Sequence, residues 1–441
     1  MKHSVFALAI VIIFTIIILI EVSAIKDGEK CTASDPRIIY EGCALDYRDM
    51  TLWCDLTNLT QLPRPEEIKA QAPPSKSASL FMNDSCVDLI NPDVLGLYNR
   101  LKMISFSKNR ISHLVNGTFA EQTTLKVLDL SNNIISKINK NAFQGAIALK
   151  ILDLSHNNLS SLPTEALAAL RNLQELNLAS NKLRTIDGGW FGHVTSLKVV
   201  SVAYNKISSW MTSQQTSREN VPAQNQSPRI QYTQHISKLE KLSLRGNALK
   251  QLPLRAFAES QHLTSIDLGG NRIRKLHQSI FKDLCFLHEV VLNDNRLSMA
   301  YRDWFINVIR NNAAYSYPPV TSSVMSYNRW ICDCRMYDYW KFLHESRDKI
   351  VYETMAIDLV CSFPLKHSGR NLTSLREVII ITSGLRVTVS SMKRMKKTSH
   401  LHQCLRRTIV LGIGQSTHHY FIIPPRSRAT THHTETRNHF M

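Results

Sequence analysis

Residues 125–135, LKVLDLSNNII, recur with small changes as LKILDLSHNNL at 149–159 and LQELNLASNKL at 173–183. Written as Leu-x-x-Leu-x-Leu-x-x-Asn-x-Leu, the segment begins at 101, 125, 149, 173, 197, 239, 263 and 287. The step is 24 residues except for one of 42, and a fixed period in this range is the signature of a stacked repeat array. Apolar residues at positions 4 and 6, such as Leu128 with Leu130 and Leu152 with Leu154, alternate with the two-residue period of a strand that buries one face. Position 11 (Ile111, Ile135, Leu159, Leu183, Ile207, Leu249, Ile273, Leu297) supplies apolar groups from the return path. So does position 19 (Phe119, Phe143, Leu167, Phe191, Phe257, Phe281, Phe305). One coil cannot bury these alone, so neighbouring coils must stack into a solenoid. Position 9 is Asn in all eight copies, at Asn109, Asn133, Asn157, Asn181, Asn205, Asn247, Asn271 and Asn295. An amide placed after the strand can satisfy backbone groups that the bend removes from the sheet, which makes this ladder structural.

This pattern resembles the extracellular leucine-rich repeat family over about residues 31–375. The resemblance implies an α/β-type solenoid, a right-handed horseshoe with a parallel concave sheet of about ten strands and disulfide caps. Eight strands come from the copies above. Residues 77–100 add one, with Leu80, Met82 and Val87 in frame and Ser85 in place of Asn. After a nine-residue insertion, Val320, Met325 and Asn328 are expected to begin a last one. The array then occupies 77–316, followed by a last coil and C-terminal cap at 317–375.

Nine cysteines on an exported chain read as disulfides, because no Cys-x-x-Cys or matching His pair suggests zinc. Cys31, Cys43, Cys54 and Cys86 belong with an N-terminal cap over 25–76, and four cysteines leave three pairings open. The segment NRWICDC at 328–334, with Cys361, resembles the family's C-terminal cap. That resemblance implies a Cys332–Cys361 disulfide and a further partner for Cys334. A fourth cysteine is expected near 380, whereas the next is Cys404. Cys285, inside the repeats, is expected to be a buried, inert thiol.

Export is read from the N-terminus: a basic Met1-Lys2-His3, an apolar run from Val5 to Ile20 and small residues before a cut after Ala24 make 1–24 a secretory signal peptide. An uncleaved signal anchor is the rival. Val378–Ile381 and Ile409–Ile413 are far too short to span a bilayer, so the mature chain is expected to be secreted, with membrane anchoring reserved for a complete form. Sequons at Asn58, Asn83, Asn116, Asn158, Asn225 and Asn371 would be glycosylation acceptors there.

The net charge is +18, but residues 376–441 hold eleven Lys and Arg against Glu377 and Glu435, which is half of it. This His-rich tail reads as disordered or as an aberrant end; a glycosaminoglycan-like polyanion is its functional rival, and its His pairs are only a weak metal signal. The concave positions 3, 5, 7 and 8 are mixed and mostly small, without a basic stripe or aromatic ladder, which argues against nucleic acid. His156, Tyr204 and Arg245 are the candidate ligand contacts there, since aromatic and Arg side chains dominate binding hot spots. No phosphate-cradling Gly-rich motif, His-Glu-x-x-His or Gly-x-Ser-x-Gly is present, so no enzyme, cofactor or metal site is expected. The resemblance implies recognition of an extracellular or cell-surface protein, or of a microbial ligand as in Toll-like relatives, with a co-receptor needed for signalling.

The 18 extra residues of the long coil fall within 211–237, a polar, Pro-interrupted stretch expected to form an inserted loop. Limited proteolysis with mass mapping should place the first cuts there; resistance across 211–237 with cleavage elsewhere would rule the loop out.

Overall fold

The computed structural model describes residues 43–46, 48–55, 59–68, 74–187, 190–212, 237–254, 256–258, 260–305, 325–345 and 359–375. The segments 1–24 and 376–441, most of the long coil's insertion, Cys31, Asn58, Asn225, Val320 and Cys404 lie outside them.

One eleven-stranded sheet runs through the array in chain order. Its strands are Ala44–Asp46, Thr51–Trp53, Ser79–Phe81, Met103–Ser105, Val127–Asp129, Ile151–Asp153, Glu175–Asn177, Val199–Ser201, Lys241–Ser243, Ser265–Asp267 and Glu289–Val291. The first two pair antiparallel, and from Thr51–Trp53 onward every pairing is parallel and unshifted, as in Val127↔Ile151 and Leu128↔Leu152. The long coil obeys the same register: Val199 pairs with Lys241, the next strand in the sheet, so the insertion leaves the stack intact.

Two strands of the sheet, Ala44–Asp46 and Thr51–Trp53, lie outside the expected array of 77–316. A tenth parallel strand is present, but it comes from the N-terminal cap at Thr51–Trp53. The last expected strand, which Val320 and Asn328 place at 322–324, falls outside the described residues. Beyond residue 329 comes the C-terminal cap, where Trp330–Ile331 pairs with Cys361–Phe363 in a separate small sheet. The turn that holds Asn328 continues the array: the Asp294 amide donates to the Ser326 carbonyl at 2.9 Å.

The core is a set of columns. Leu128, Leu130, Leu152, Leu154, Leu176 and Leu178 are buried at the strands, and Ile135, Leu159 and Leu183 at the return. Each such side chain is worth about 1.5–3 kcal/mol removed from water. Phe119 stacks on Phe143 and Phe257 on Phe281, with centroids 5.6 and 5.9 Å apart, so position 19 packs coil on coil.

Asn157 illustrates the ladder. Its Nδ2 donates to the Leu154 and Ser155 carbonyls within its coil and to the Leu130 carbonyl of the preceding one at 2.9 Å. Its Oδ1 accepts from the preceding coil's Ile135 amide at 2.9 Å. Asn109, Asn133, Asn181, Asn205, Asn247, Asn271 and Asn295 repeat this pattern, and Asn328 continues it past the last strand. At the ladder position of the preceding coil, Ser85 Oγ donates to the Cys54 carbonyl at 3.1 Å, and a hydroxyl cannot reproduce the full set.

Disulfides close the ends. Cys43 joins Cys54, and Cys332 joins Cys361; Cys86 and Cys334 are disulfide-bonded as well. The cap helix Tyr337–Glu345 seals the final coil, placing Tyr339 beside Phe305 and anchoring Trp340 Nε1 on the Leu375 carbonyl at 2.9 Å.

Asn181→Ala should cost about 2–3 kcal/mol in chemical denaturation, because it strands the buried Leu159 amide and takes from the Leu154 carbonyl one of its two donors, leaving Asn157 Nδ2. A loss below about 1 kcal/mol would mean that the ladder amides are replaceable.

Candidate binding face

Strand alternation turns positions 4 and 6 into the core and leaves positions 3 and 5 on the other side of the sheet. Position 8 follows a different rule. Lys108, Asn132, His156, Ser180, Tyr204 and Asp294 have φ between 52° and 55°, and Gly246 and Gly270 occupy the same place at 66° and 64°. Non-glycine residues seldom adopt this left-handed region. Here the turn is held from both sides: the Asn at position 9 is bonded inward, and the position 8 amide donates to the next coil, as from His156 to Ala179 at 2.9 Å.

The open part of the face is narrower than positions 3, 5, 7 and 8 together. Ser105, Ser131, Asp153 and Ser155 are buried. The position 5 carboxylates fold onto their own turns: Asp129 Oδ1 accepts from the Ser131 amide, Asp153 Oδ1 from Ser155 and Asp267 Oδ1 from Gly269, at 2.8–2.9 Å. Asn177 makes the same bond to Ala179 and donates Nδ2 to Asp153 Oδ2 at 2.9 Å. Burial pushes the Asp153 carboxyl above its ordinary range, opposed by its bonds to Ser155 and Asn177 and reinforced by nearby Asp129.

Two surface features remain. At the N-terminal end, Trp53 stacks on Phe81 with centroids 4.4 Å apart and planes at 12°, and Trp53 is 43% exposed. Half-buried Met103, Val127 and Ile151 continue this apolar strip along the adjacent column, held in line by the unshifted strand register. The column then turns polar at Glu175.

At the C-terminal end, four coils contribute to one cluster. Arg245 Nε donates to Tyr204 Oη at 3.0 Å, Nη1 donates to Asn293 Oδ1 at 3.2 Å, and Nη1 lies 3.6 Å from Asp267 Oδ1. Burial pulls the guanidinium pKa down, but the Tyr204 hydroxyl and the Asp267 carboxylate outweigh it and raise the value. Burial also raises Asp267, partly offset by the Gly269 amide and by Arg245. Glycines make the arrangement possible. A Cβ on Gly246 would fall 2.5 Å from the Tyr204 ring, and one on Gly269 would fall 2.5 Å from Arg245 Nη1 and 2.6 Å from Asn293 Oδ1. Tyr204 is 57% exposed, so its ring is braced from below and open from above.

Of the three candidate contacts, Tyr204 and Arg245 are thus brought together. His156 is exposed at the same turn position two coils away and joins neither. The Trp53–Phe81 stack is absent from a reading of the repeat copies, because Trp53 lies in the cap and only strand register aligns it with Phe81. Among the sequons, Asn83 sits beside the apolar strip with Oδ1 bonded to Ser105 and Ser107. Asn116 is exposed, Asn158 half-buried, and Asn371 caps a short turn by accepting from the Thr373 amide. Cys285 is exposed rather than buried, since it falls in the turn between Leu284 and Leu287, which take the inward positions. Among the described residues no cluster of three potential metal ligands occurs, and no helix is long and apolar enough to cross a membrane.

Residues 99–159, 123–183 and 147–207 match the leucine rich repeat family model, and residues 219–312 match the BspA type leucine rich repeat region. No curated protein matches the sequence. Among solved structures, the chain is similar to one from the octameric complex of latrophilin 3, Unc5D and FLRT2, at a TM-score of 0.56 and 20% identity over 76% of this chain and 97% of that one. It is also similar to a chain from the TLR13–ssRNA13 complex, at a TM-score of 0.52 and 17% identity over 74% of this chain, but spans only 46% of that chain.

Asp153→Asn retains the acceptor for the Ser155 amide, gives up the one for Asn177 Nδ2 and removes a desolvated charge, whereas Asp153→Ala leaves both donors without it. The raised pKa means that the folded state holds the proton more tightly, so the wild-type carboxylate loses stability as pH climbs from the ordinary unfolded value through the folded one. In thermal melts the Asp153→Asn variant should therefore gain on the wild type between about pH 4 and pH 7. The Asp153→Ala variant should lie about 1–2 kcal/mol below the Asp153→Asn variant at either pH. A gap between wild type and the Asp153→Asn variant that does not change with pH would contradict this.

Proposed function

Because the chain is a leucine-rich repeat protein, we propose that it is an extracellular recognition scaffold that binds a protein partner on the concave face of its sheet. The observation that carries this reading is the Tyr204–Arg245 pair: an aromatic ring and a guanidinium, partly exposed, bonded to one another and fixed in place by Asp267, Asn293 and two glycines. Such side chains make strong contacts when little rotamer freedom is left to lose on binding. The Trp53–Phe81 strip at the other end of the same sheet supplies apolar contact. Together they fit a partner with an apolar segment at one end and, at the other, an acidic side chain or carbonyl cluster for the remaining guanidinium edge. The signal-peptide-like N-terminus, the sequons and the disulfide caps support export.

Binding of fluorescently labelled full-length chain to cell surfaces should fall at least about tenfold for the Tyr204→Ala, Arg245→Ala double variant. Gly269→Ala tests the same site without substituting either contact, since the new methyl displaces the Arg245 guanidinium while leaving the ladder intact; it should weaken binding with an unchanged melting profile. Undiminished binding by both variants would move the site off this face.

A further inference from the structure

After the ladder Asn, each coil leaves the sheet along one flank, and position 11 turns into the core while positions 10 and 12 turn out. In the first three copies the outward places are held mainly by Ser, Asn and Ile, with Arg110 the only cation among them. From residue 173 onward the composition changes. Position 10 carries Lys182, Lys206, Arg272 and Arg296, and position 12 carries Arg184, Lys250 and Arg274. Backbone bonds lock these rows together: the Lys206 amide donates to the Leu183 carbonyl at 2.8 Å, Arg272 to Leu249 at 2.9 Å, and Arg274 to Lys250 at 3.3 Å. Successive coils stand about 4.8 Å apart, so the two rows form a ridge about 20 Å long over five coils.

No Asp or Glu occupies positions 10–13 in any of the eight copies. Ion pairs of these repeats lie elsewhere, at Lys198–Glu240, Arg245–Asp267 and Arg302–Asp303. The ridge cations are exposed, apart from half-buried Arg296, and no carboxylate of the described residues pairs with them. Their spacing along the ridge is well inside the Debye length of about 8 Å in physiological salt. A concentration of one sign on a rigid surface repels itself and attracts a polyanion.

We infer that this flank binds a linear sulfated polysaccharide, independently of the concave face. A strand of nucleic acid would offer similar charge, but binding single strands relies on aromatic platforms for the bases, and positions 10, 12 and 13 from residue 173 onward hold no aromatic residue. What they hold besides cations is largely hydroxyl and amide: Thr185, Ser208, Ser209, Gln251 and Ser298, donors suited to sulfate and sugar oxygens.

The test uses the full chain and a heparin octasaccharide. Five of the eight copies already carry Ser at position 12, so Arg184→Ser, Lys250→Ser, Arg274→Ser substitutes residues that this coil geometry accepts. That triple variant should bind at least about tenfold more weakly in about 0.15 M salt, and its slope of log affinity against log salt should be shallower by about two to three. Removing the same charge from the far edge of the sheet, by Lys102→Ser, Lys126→Ser, Lys150→Ser, should change affinity less than about twofold. Equal losses from the two triple variants would reduce the effect to net charge and overturn the proposal. So would a loss confined to a Lys393→Ala, Arg394→Ala, Lys396→Ala, Lys397→Ala variant, which would place binding in the tail. Displacement of the octasaccharide by single-stranded RNA at equal charge concentration, matching displacement by unlabelled heparin, would assign the ridge to nucleic acid instead.

Discussion

Every coil depends on one buried side-chain amide. An Asn at position 9 uses both donors and its acceptor on backbone groups of its own coil and of the coil before it, so each repeat is completed only by its neighbour. A carboxylate could not donate and a hydrophobe could do neither, which is why one residue type is fixed here while the core positions exchange Leu, Ile, Val and Phe. The same bond sets what the fold tolerates. Where the spacing widens from 22 to 40 residues, the Ile207 amide still reaches Asn247 Oδ1 at 2.9 Å. The constraint acts on the ends of the return path and leaves its length open, so the longer coil is accommodated without a shift of strand register.

Once the ladder fixes the backbone, the remaining positions become columns with separate surroundings. Positions 5 and 7 are drawn into the turn by side chain to amide bonds, and position 8 is forced to positive φ and pushed to the rim. Positions 3, 8, 10 and 12 are left to present most of the chemistry, and a column changes character by accumulating single substitutions at 24-residue intervals. The apolar run at position 3 is broken by Glu175 and Lys241, and Ser at position 12 gives way to Arg184, Lys250 and Arg274. Both changes set in at the fourth copy, near residue 173.

Period, strand placement and ladder were legible because each rests on one residue type recurring at fixed intervals. Tyr204 and Arg245 were legible as individuals, but their bond spans 41 residues and an insertion. The glycines that make room for it look like repeat variation until Gly246 and Gly269 are placed beneath the ring and the guanidinium. The Leu-Asp-Leu carboxylates look solvent-exposed from strand alternation alone, which contains no information about a side chain folding onto its own turn. Trp53 and the pairing of Trp330–Ile331 with Cys361–Phe363 lie where the period fades into the caps. In those places pairing is decided by disulfides and by the packing of Trp330, Tyr339 and Trp340, which no repeat frame describes. Cys285 misleads for a similar reason: it stands between Leu284 and Leu287, and hydrophobic surroundings in sequence do not imply an inward Cβ in a turn.

Charge shows the same limit most clearly. A total of +18 with half of it beyond residue 375 suggests a nearly even scaffold carrying a basic tail. Evenness in sequence does not survive folding, because a 24-residue period maps every position onto one of a few parallel columns. Acidic residues of the array fall mainly at positions 3, 5 and 8 or in the return turns, whereas cations fall mainly at positions 2, 10, 12 and 13. A moderate excess is thereby sorted into one mixed face, where Arg245 is held by Asp267, and one flank where no carboxylate of the described residues opposes Lys182, Arg184, Lys250 or Arg274. The repeat that buries the core also separates the charges, and the two surfaces it makes are rigidly joined through the same ladder of amides.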